Sequence, residues 1–146
     1  MPSLVRQALL PYPARSVYEI VNDVVRYPEF LPWCMAVEIV AESAKEIVAT
    51  LELGFRGVRQ SFTTRNVLTP HERIELSLVS GPFTHFHGFW HFTRLGQDEG
   101  CKLELHLDFR FSDARSLLHR TLDSVFSHAG DKLVDAFCGR ARALLH

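Results

Sequence analysis

The chain has 146 residues, 47% hydrophobic and 23% charged, and its 16 Lys and Arg oppose 17 Asp and Glu for a net charge of −1. This balance excludes nucleic-acid or membrane binding driven by overall charge and leaves only local patches for such contacts. There is no run near the ~18 apolar residues of a membrane span, no secretory pattern in Met1-Pro2-Ser3-Leu4-Val5-Arg6-Gln7, and no C-x-x-C pair among Cys34, Cys101 and Cys138. A reduced, cytoplasmic chain of one domain is expected. Its length suffices for one core, since about 68–70% of the unfolded surface can be buried at this size.

Leu4 to Leu10 reads as a strand ended by Pro11 and Pro13, and Ala14 to Val21 as a short helix. Val17, Ile20, Val21 and Val24 recur every three or four residues and share one helix face. Tyr27-Pro28-Glu29-Phe30-Leu31-Pro32-Trp33-Cys34 follows. Its two prolines rule out a regular helix or a central strand, so three aromatics and a leucine sit on a loop or a single helical turn. Such a segment either tucks onto the core or acts as a lid or contact patch.

From Val37 the period becomes two. Val37, Ile39 and Ala41 form one alternating run, and Ile47, Ala49, Leu51, Leu53 and Phe55 form the next. Strands are then expected over about Val58–Leu68, around Ile74–Leu78, and over His85–Thr93. The last strand alternates most cleanly: Leu103, Leu105, Leu107, Phe109 and Phe111 against Lys102, Glu104, His106, Asp108 and Arg110. Short turns between consecutive strands imply an antiparallel meander with one dry face. A helical stripe closes the chain: Leu118, Leu122, Val125, Phe126, Ala129, Leu133, Phe137, Ala141 and Leu144, capped by Ser112 or Asp113. At 1.5 Å per residue that helix is about 42 Å long, enough to cover the sheet.

If the odd positions of the last strand are dry, Phe86, Gly88, Trp90 and Phe92 face inward, and so do Phe62 and Leu68. Parity then also buries Gln60, Thr64 and Asn66. Buried polar groups need partners, which are either one another, the backbone, or the polar head of a ligand in an apolar pocket. Mid-helix Ala129 and Gly130 fit either close packing or room for a ligand.

Eight histidines are many for this length. His85, His87, His91 and His106, with Glu104 and Asp108, have the atoms for zinc, but they fall on the wet face, where a solvated ladder is the default. A His–Asp pair with Ser77 or Thr93 is the catalytic version of the same face; no nucleophile elbow, phosphate loop or H-E-x-x-H accompanies it. The basic residues Arg56, Arg59, Arg65, Arg115, Arg120, Lys132, Arg140 and Arg142 are interleaved with Asp113, Asp123, Asp131 and Asp135, as on a solvated mixed face.

Several of these segments together resemble a known family. Leu10-Pro11-Tyr12, Val21-Asn22-Asp23-Val24 and the proline-flanked aromatic segment come first. Phe62-Thr63-Thr64-Arg65-Asn66, Ser77-Leu78-Val79-Ser80-Gly81-Pro82-Phe83, Gly88-Phe89-Trp90-His91-Phe92 and Leu105-His106-Leu107-Asp108-Phe109-Arg110-Phe111 follow in order. The chain is similar in these segments to the coenzyme Q-binding START-like proteins and their bacterial relatives, which include ribosome-association toxins. The resemblance implies an α+β helix-grip fold, a curved antiparallel sheet around a long C-terminal helix and an apolar tunnel. It also implies one of two functions. The first expectation is non-enzymatic binding of a polyprenyl quinone such as ubiquinone in support of respiration, with transient contact at the inner membrane. The alternative is a toxin that binds the large ribosomal subunit and blocks subunit joining. No catalytic residue, metal or cofactor is expected. Phe30, Leu31, Trp33 and Phe83 are the candidate entrance; Phe62, Leu78, Phe86, Trp90 and Leu133 the candidate tunnel; Thr64 and Asn66 the candidate partners of the quinone carbonyls. The histidines of Thr84-His85-Phe86-His87 would hold RNA less well near neutral pH than lysines would.

Overall fold

The structure is a computed structural model, which describes residues 3–55, 57–111 and 132–145. Strand β1 (Ser3–Leu10) leads to helix α1 (Ala14–Asn22) and a 3-10 helix (Val24–Glu29). Six strands follow: β2 (Cys34–Glu42), β3 (Glu46–Phe55), β4 (Val58–Thr69), β5 (Arg73–Ser80), β6 (Phe83–Leu95) and β7 (Gly100–Phe111). A closing helix, α2, spans 132–144. The expected start of that helix, with Ser112, Asp113, Leu118, Leu122, Val125, Phe126, Ala129 and Gly130, lies outside the described residues, as do Arg56, Arg115, Arg120, Asp123 and Asp131.

The strands form one antiparallel sheet in the order β1-β7-β6-β5-β4-β3-β2. Strands β2 to β7 are the expected meander, and β1 adds to its far edge with Ser3 opposite Asp108 and Leu10 opposite Cys101. Consecutive β1 and β2 thus occupy opposite edges, and α1 with the 3-10 helix makes the crossing between them. Together with α2 on its dry face, this is the helix-grip architecture. The inner face follows the two-residue period where pairing is regular. Cys101, Leu103, Leu105, Leu107 and Phe109 are all buried, and across from them so are Phe86, Trp90 and Phe92. Gly88 sits in this row because β7 passes so close: a Cβ there would lie 2.3 Å from the His106 carbonyl oxygen. Gly81 makes the β5–β6 turn at φ +149°, where a side chain would press on Phe62.

Where pairing is irregular, the simple alternation fails. Strand β2 begins at Cys34 rather than Val37, and register shifts at Cys34/Ala36 and Ile39/Ala41 leave Ala41 exposed. An extra residue opposite one partner turns the following side chains over. The shift between Phe83 and His85 likewise brings Phe83 inward despite its odd number. On α2 the buried residues are Val134, Phe137, Cys138 and Ala141, whereas Leu144 is 51% exposed and lies outside the stripe assigned to it. The helix buries its 134/137/138/141 face, and Leu144, its last residue, lies exposed. On α1, Ala14, Val17, Tyr18 and Val21 are buried, and Ile20 turns partly outward.

Candidate functional site

The sheet's inner face, the 3-10 helix, α1 and α2 border a cavity of about 110 Å³. Eight residues of the sequence-derived set line it: Leu31, Trp33, Phe62, Thr64, Asn66, Phe86, Trp90 and Leu133. The other three lie elsewhere. Phe30 faces a separate groove between α1 and the end of α2, Phe83 packs against Phe62 and Phe86 with ring centres 5.7 and 5.1 Å away, and Leu78 is half-buried against the core. Gln60 is half-buried and is not among the lining residues. Leu31, expected at an entrance, is fully buried.

Sequence reasoning missed ten of the lining residues. Ile74, Leu76, Leu51, Leu53, Leu105, Leu107, Val21, Val24 and Phe137 all stood on predicted apolar faces, but periodicity does not say which core positions border empty space. Tyr27 is the more informative omission. It stands on the 3-10 helix, just before the Pro28 that the helix contains, and its ring meets Phe137 and Phe30 at 5.3 and 6.0 Å. Its hydroxyl donates to the Val21 carbonyl oxygen, and burial pushes its pKa well above the ordinary tyrosine value. The proline-flanked aromatic segment is thus fastened to α1 and α2 from inside.

The polar content of the cavity is concentrated on β4. Thr64 and Asn66 are buried, 5% and 7% exposed, and stand two residues apart on one face. The Thr64 hydroxyl donates to Asn66 Oδ1 at 2.9 Å. Among the described residues nothing bonds the Asn66 amide nitrogen, so the pair holds that NH2 group and its two N–H donors in reserve. Exchanging amide O and N would instead leave a spare acceptor, so either orientation offers the cavity one hydrogen-bonding atom. Among the described residues, no Asp, Glu, His, Lys or Arg lines the cavity. Such a chamber desolvates whatever enters and strongly disfavours a charge. Among the described lining residues only Tyr27 carries a titratable proton, and that proton is engaged by the Val21 carbonyl.

On the outer face the histidines pair with carboxylates. His91 Nδ1 lies 3.2 Å from Glu104 Oε2, His106 Nε2 lies 3.6 Å from Glu104 Oε1, and His87 Nε2 lies 3.6 Å from Glu75. The hydrogen bond from His91 is the main reason that the Glu104 carboxyl sits below the ordinary range; Lys102 and His106 add to it. Thr93 Oγ1 approaches the same His91 nitrogen, at 3.5 Å. A proton relay needs both ring nitrogens, one for each neighbour, so this is not a triad. Among the described residues no group of three His, Cys, Asp or Glu is placed to hold a metal. The three cysteines are buried, and burial raises the Cys34 and Cys101 thiols to about 11. No described helix is long and apolar enough to cross a membrane.

A curved sheet gripping a helix around a largely apolar cavity defines the helix-grip fold. Residues 10–138 match the family described as polyketide cyclase / dehydrase and lipid transport, and the chain belongs to that family. Among named proteins it is similar to the ribosome association toxin RatA of Pseudomonas aeruginosa, 49% identical over 95% of this chain and 94% of that one. It is also similar to a mitochondrial coenzyme Q-binding protein, the COQ10 homolog B of Xenopus laevis, at 30% identity over 81% of this chain and 48% of the relative. Among solved structures, the Zhui aromatase/cyclase from a Streptomyces species superposes with a TM-score of 0.87 at 23% identity, covering 99% of this chain and 96% of the enzyme. At that identity the likeness shows the shared fold.

Proposed function

We propose that this chain works by binding, not catalysis, and associates with the large ribosomal subunit in the cytoplasm. The observation that carries this reading is near-full-length 49% identity to a ribosome association toxin, against 30% to a coenzyme Q-binding protein that is about half matched. The order of the two expectations drawn from the sequence is thereby reversed. To test it, the purified chain is mixed with separated ribosomal subunits and sedimented through sucrose. The expected result is co-migration with the large subunit, fewer joined ribosomes, and binding that weakens steeply with salt because phosphates are contacted. A chain that stays at the top of the gradient at low salt would sink the proposal.

The geometry favours a second activity alongside it. The cavity is suited to an uncharged apolar molecule with a small hydrogen-bonding head, and the Thr64–Asn66 pair is the observation that favours this. A polyprenyl quinone meets those requirements: its carbonyls accept hydrogen bonds and it carries no charge. A fatty acid or phospholipid would bring a charge into a chamber that has no counter-charge among its described lining residues. Organic extraction of the protein from its native source, followed by mass spectrometry, tests this directly. A stoichiometric neutral lipid is expected; an empty protein that also ignores quinone-loaded liposomes would refute it.

A further inference from the structure

A second hollow lies one ring outside the cavity. It is a groove of about 200 Å³ floored by Ile20 of α1, by Phe30, and by Leu144 and Leu145 at the end of α2. Glu19, Asp23, Arg26 and Arg140 form its charged rim. The groove and the cavity share their walls. Helix α1 turns Ile20 to the groove and Val21 to the cavity. Phe30 faces the groove and meets the cavity residue Phe137 edge to face at 5.3 Å. The rings of Tyr27, Phe30 and Phe137 therefore form the partition.

That partition carries a catch. Arg140, one turn beyond Phe137, bonds Glu29 at 3.0 Å and lies over the Phe30 ring at 5.0 Å. Its side chain is only 17% exposed. Arg26 takes the other Glu29 oxygen at 3.2 Å. Glu29 and Phe30 stand where the 3-10 helix ends, so a small backbone rotation there would swing the ring.

We infer that this groove is the mouth of the cavity: a neutral, single-chain lipid enters between α1 and α2 past Phe30, leaves its tail in the groove, and is retained by the Arg140–Glu29 catch. The inference rests on the cavity reading above. Three observations support it. A chamber of about 110 Å³ is small against the roughly 300–1,000 Å³ of ordinary ligand sites, so a long molecule must leave part of itself outside. The apolar floor for that part lies just beyond the partition. Among the described residues, moving Phe30 breaks ring contacts and a half-exposed ion pair, whereas parting the strands breaks ladder hydrogen bonds.

Trp33 and Trp90 line the cavity and serve as built-in reporters, because a bound quinone quenches them. Decylubiquinone, which has a tail, and ubiquinone-0, which has none, are mixed with the full chain in a stopped-flow instrument. Glu29→Gln is expected to raise both association and dissociation rates of decylubiquinone on the order of two- to fivefold, the scale of an exposed ion pair. Ile20→Glu places a charge on the tail floor. It is expected to weaken decylubiquinone roughly tenfold while sparing ubiquinone-0. If Ile20→Glu fails to fold, the Glu29→Gln rates decide alone. If both quinones quench the tryptophans and neither variant moves a rate or the tail dependence, the mouth is elsewhere and the cavity reading stands. If neither quinone quenches the unaltered protein, the cavity reading falls and this inference with it.

Discussion

Thr64 and Asn66 are the residues at which stability and binding pull in different directions. A buried polar pair that satisfies itself only in part costs desolvation and returns one internal hydrogen bond. Replacing both partners by apolar groups of similar shape removes that cost. Thr64→Val with Asn66→Leu is therefore expected to leave the urea midpoint within the equivalent of about 1 kcal/mol of the parent, or to raise it. The same double variant should bind quinone roughly tenfold more weakly, the worth of one or two hydrogen bonds. Titration by tryptophan quenching alongside urea unfolding checks both halves; unaltered affinity would remove the head-group role. This pair was legible from sequence because burial on β4 keeps its two-residue period past the register shift at Thr63/Thr64: a polar residue on a dry face stands out against Phe62. Gln60 met the same criterion and is not at the cavity, since parity reports a face and not a position along the strand. Tyr27 was illegible for the opposite reason. Its role comes from packing between α1 and α2, and no local period encodes that meeting.

Each element was read as well as its hydrogen bonding is regular. Strand β7 follows its alternation from Cys101 to Phe109, whereas β2 and the start of β6 depart from theirs at register shifts that leave no mark in composition. The outer face of the β6–β7 pair is where electrostatics bear on stability. Glu104 lies between His91 and His106, and its carboxyl is lowered from the ordinary 4.5, first by the hydrogen bond with His91. A carboxylate that is more acidic in the folded chain contributes stability that is fully present above its unfolded pKa and is lost as the pH falls through the folded value. Glu104→Gln should thus unfold at lower urea than the parent at about pH 6, with the gap closing towards about pH 3. A gap that is independent of pH would mean that Glu104 acts through packing and not through its charge.

For the whole molecule, the proposed ligand binding in the cavity and the proposed ribosome association are expected to be separable. The cavity is internal and its polar pair does not reach the surface, so the Thr64→Val, Asn66→Leu protein is expected to sediment with the large subunit as the parent does. Loss of sedimentation in a folded double variant would instead make ribosome association depend on a filled cavity, joining the two activities in one linked equilibrium. The sheet order has a further consequence, for how the chain reaches its fold during synthesis. β1 is made first, yet its partner is β7, with Ser3 opposite Asp108. At 5–20 residues per second, the first strand waits roughly 5–20 s on the ribosome before its mate exists. The meander from β2 to β6 can zip hairpin by hairpin in that interval, since each strand pairs with the one before it. The N-terminal strand is thus the strand whose partner is made last, and until the two pair, the newborn chain presents β7 as an open edge.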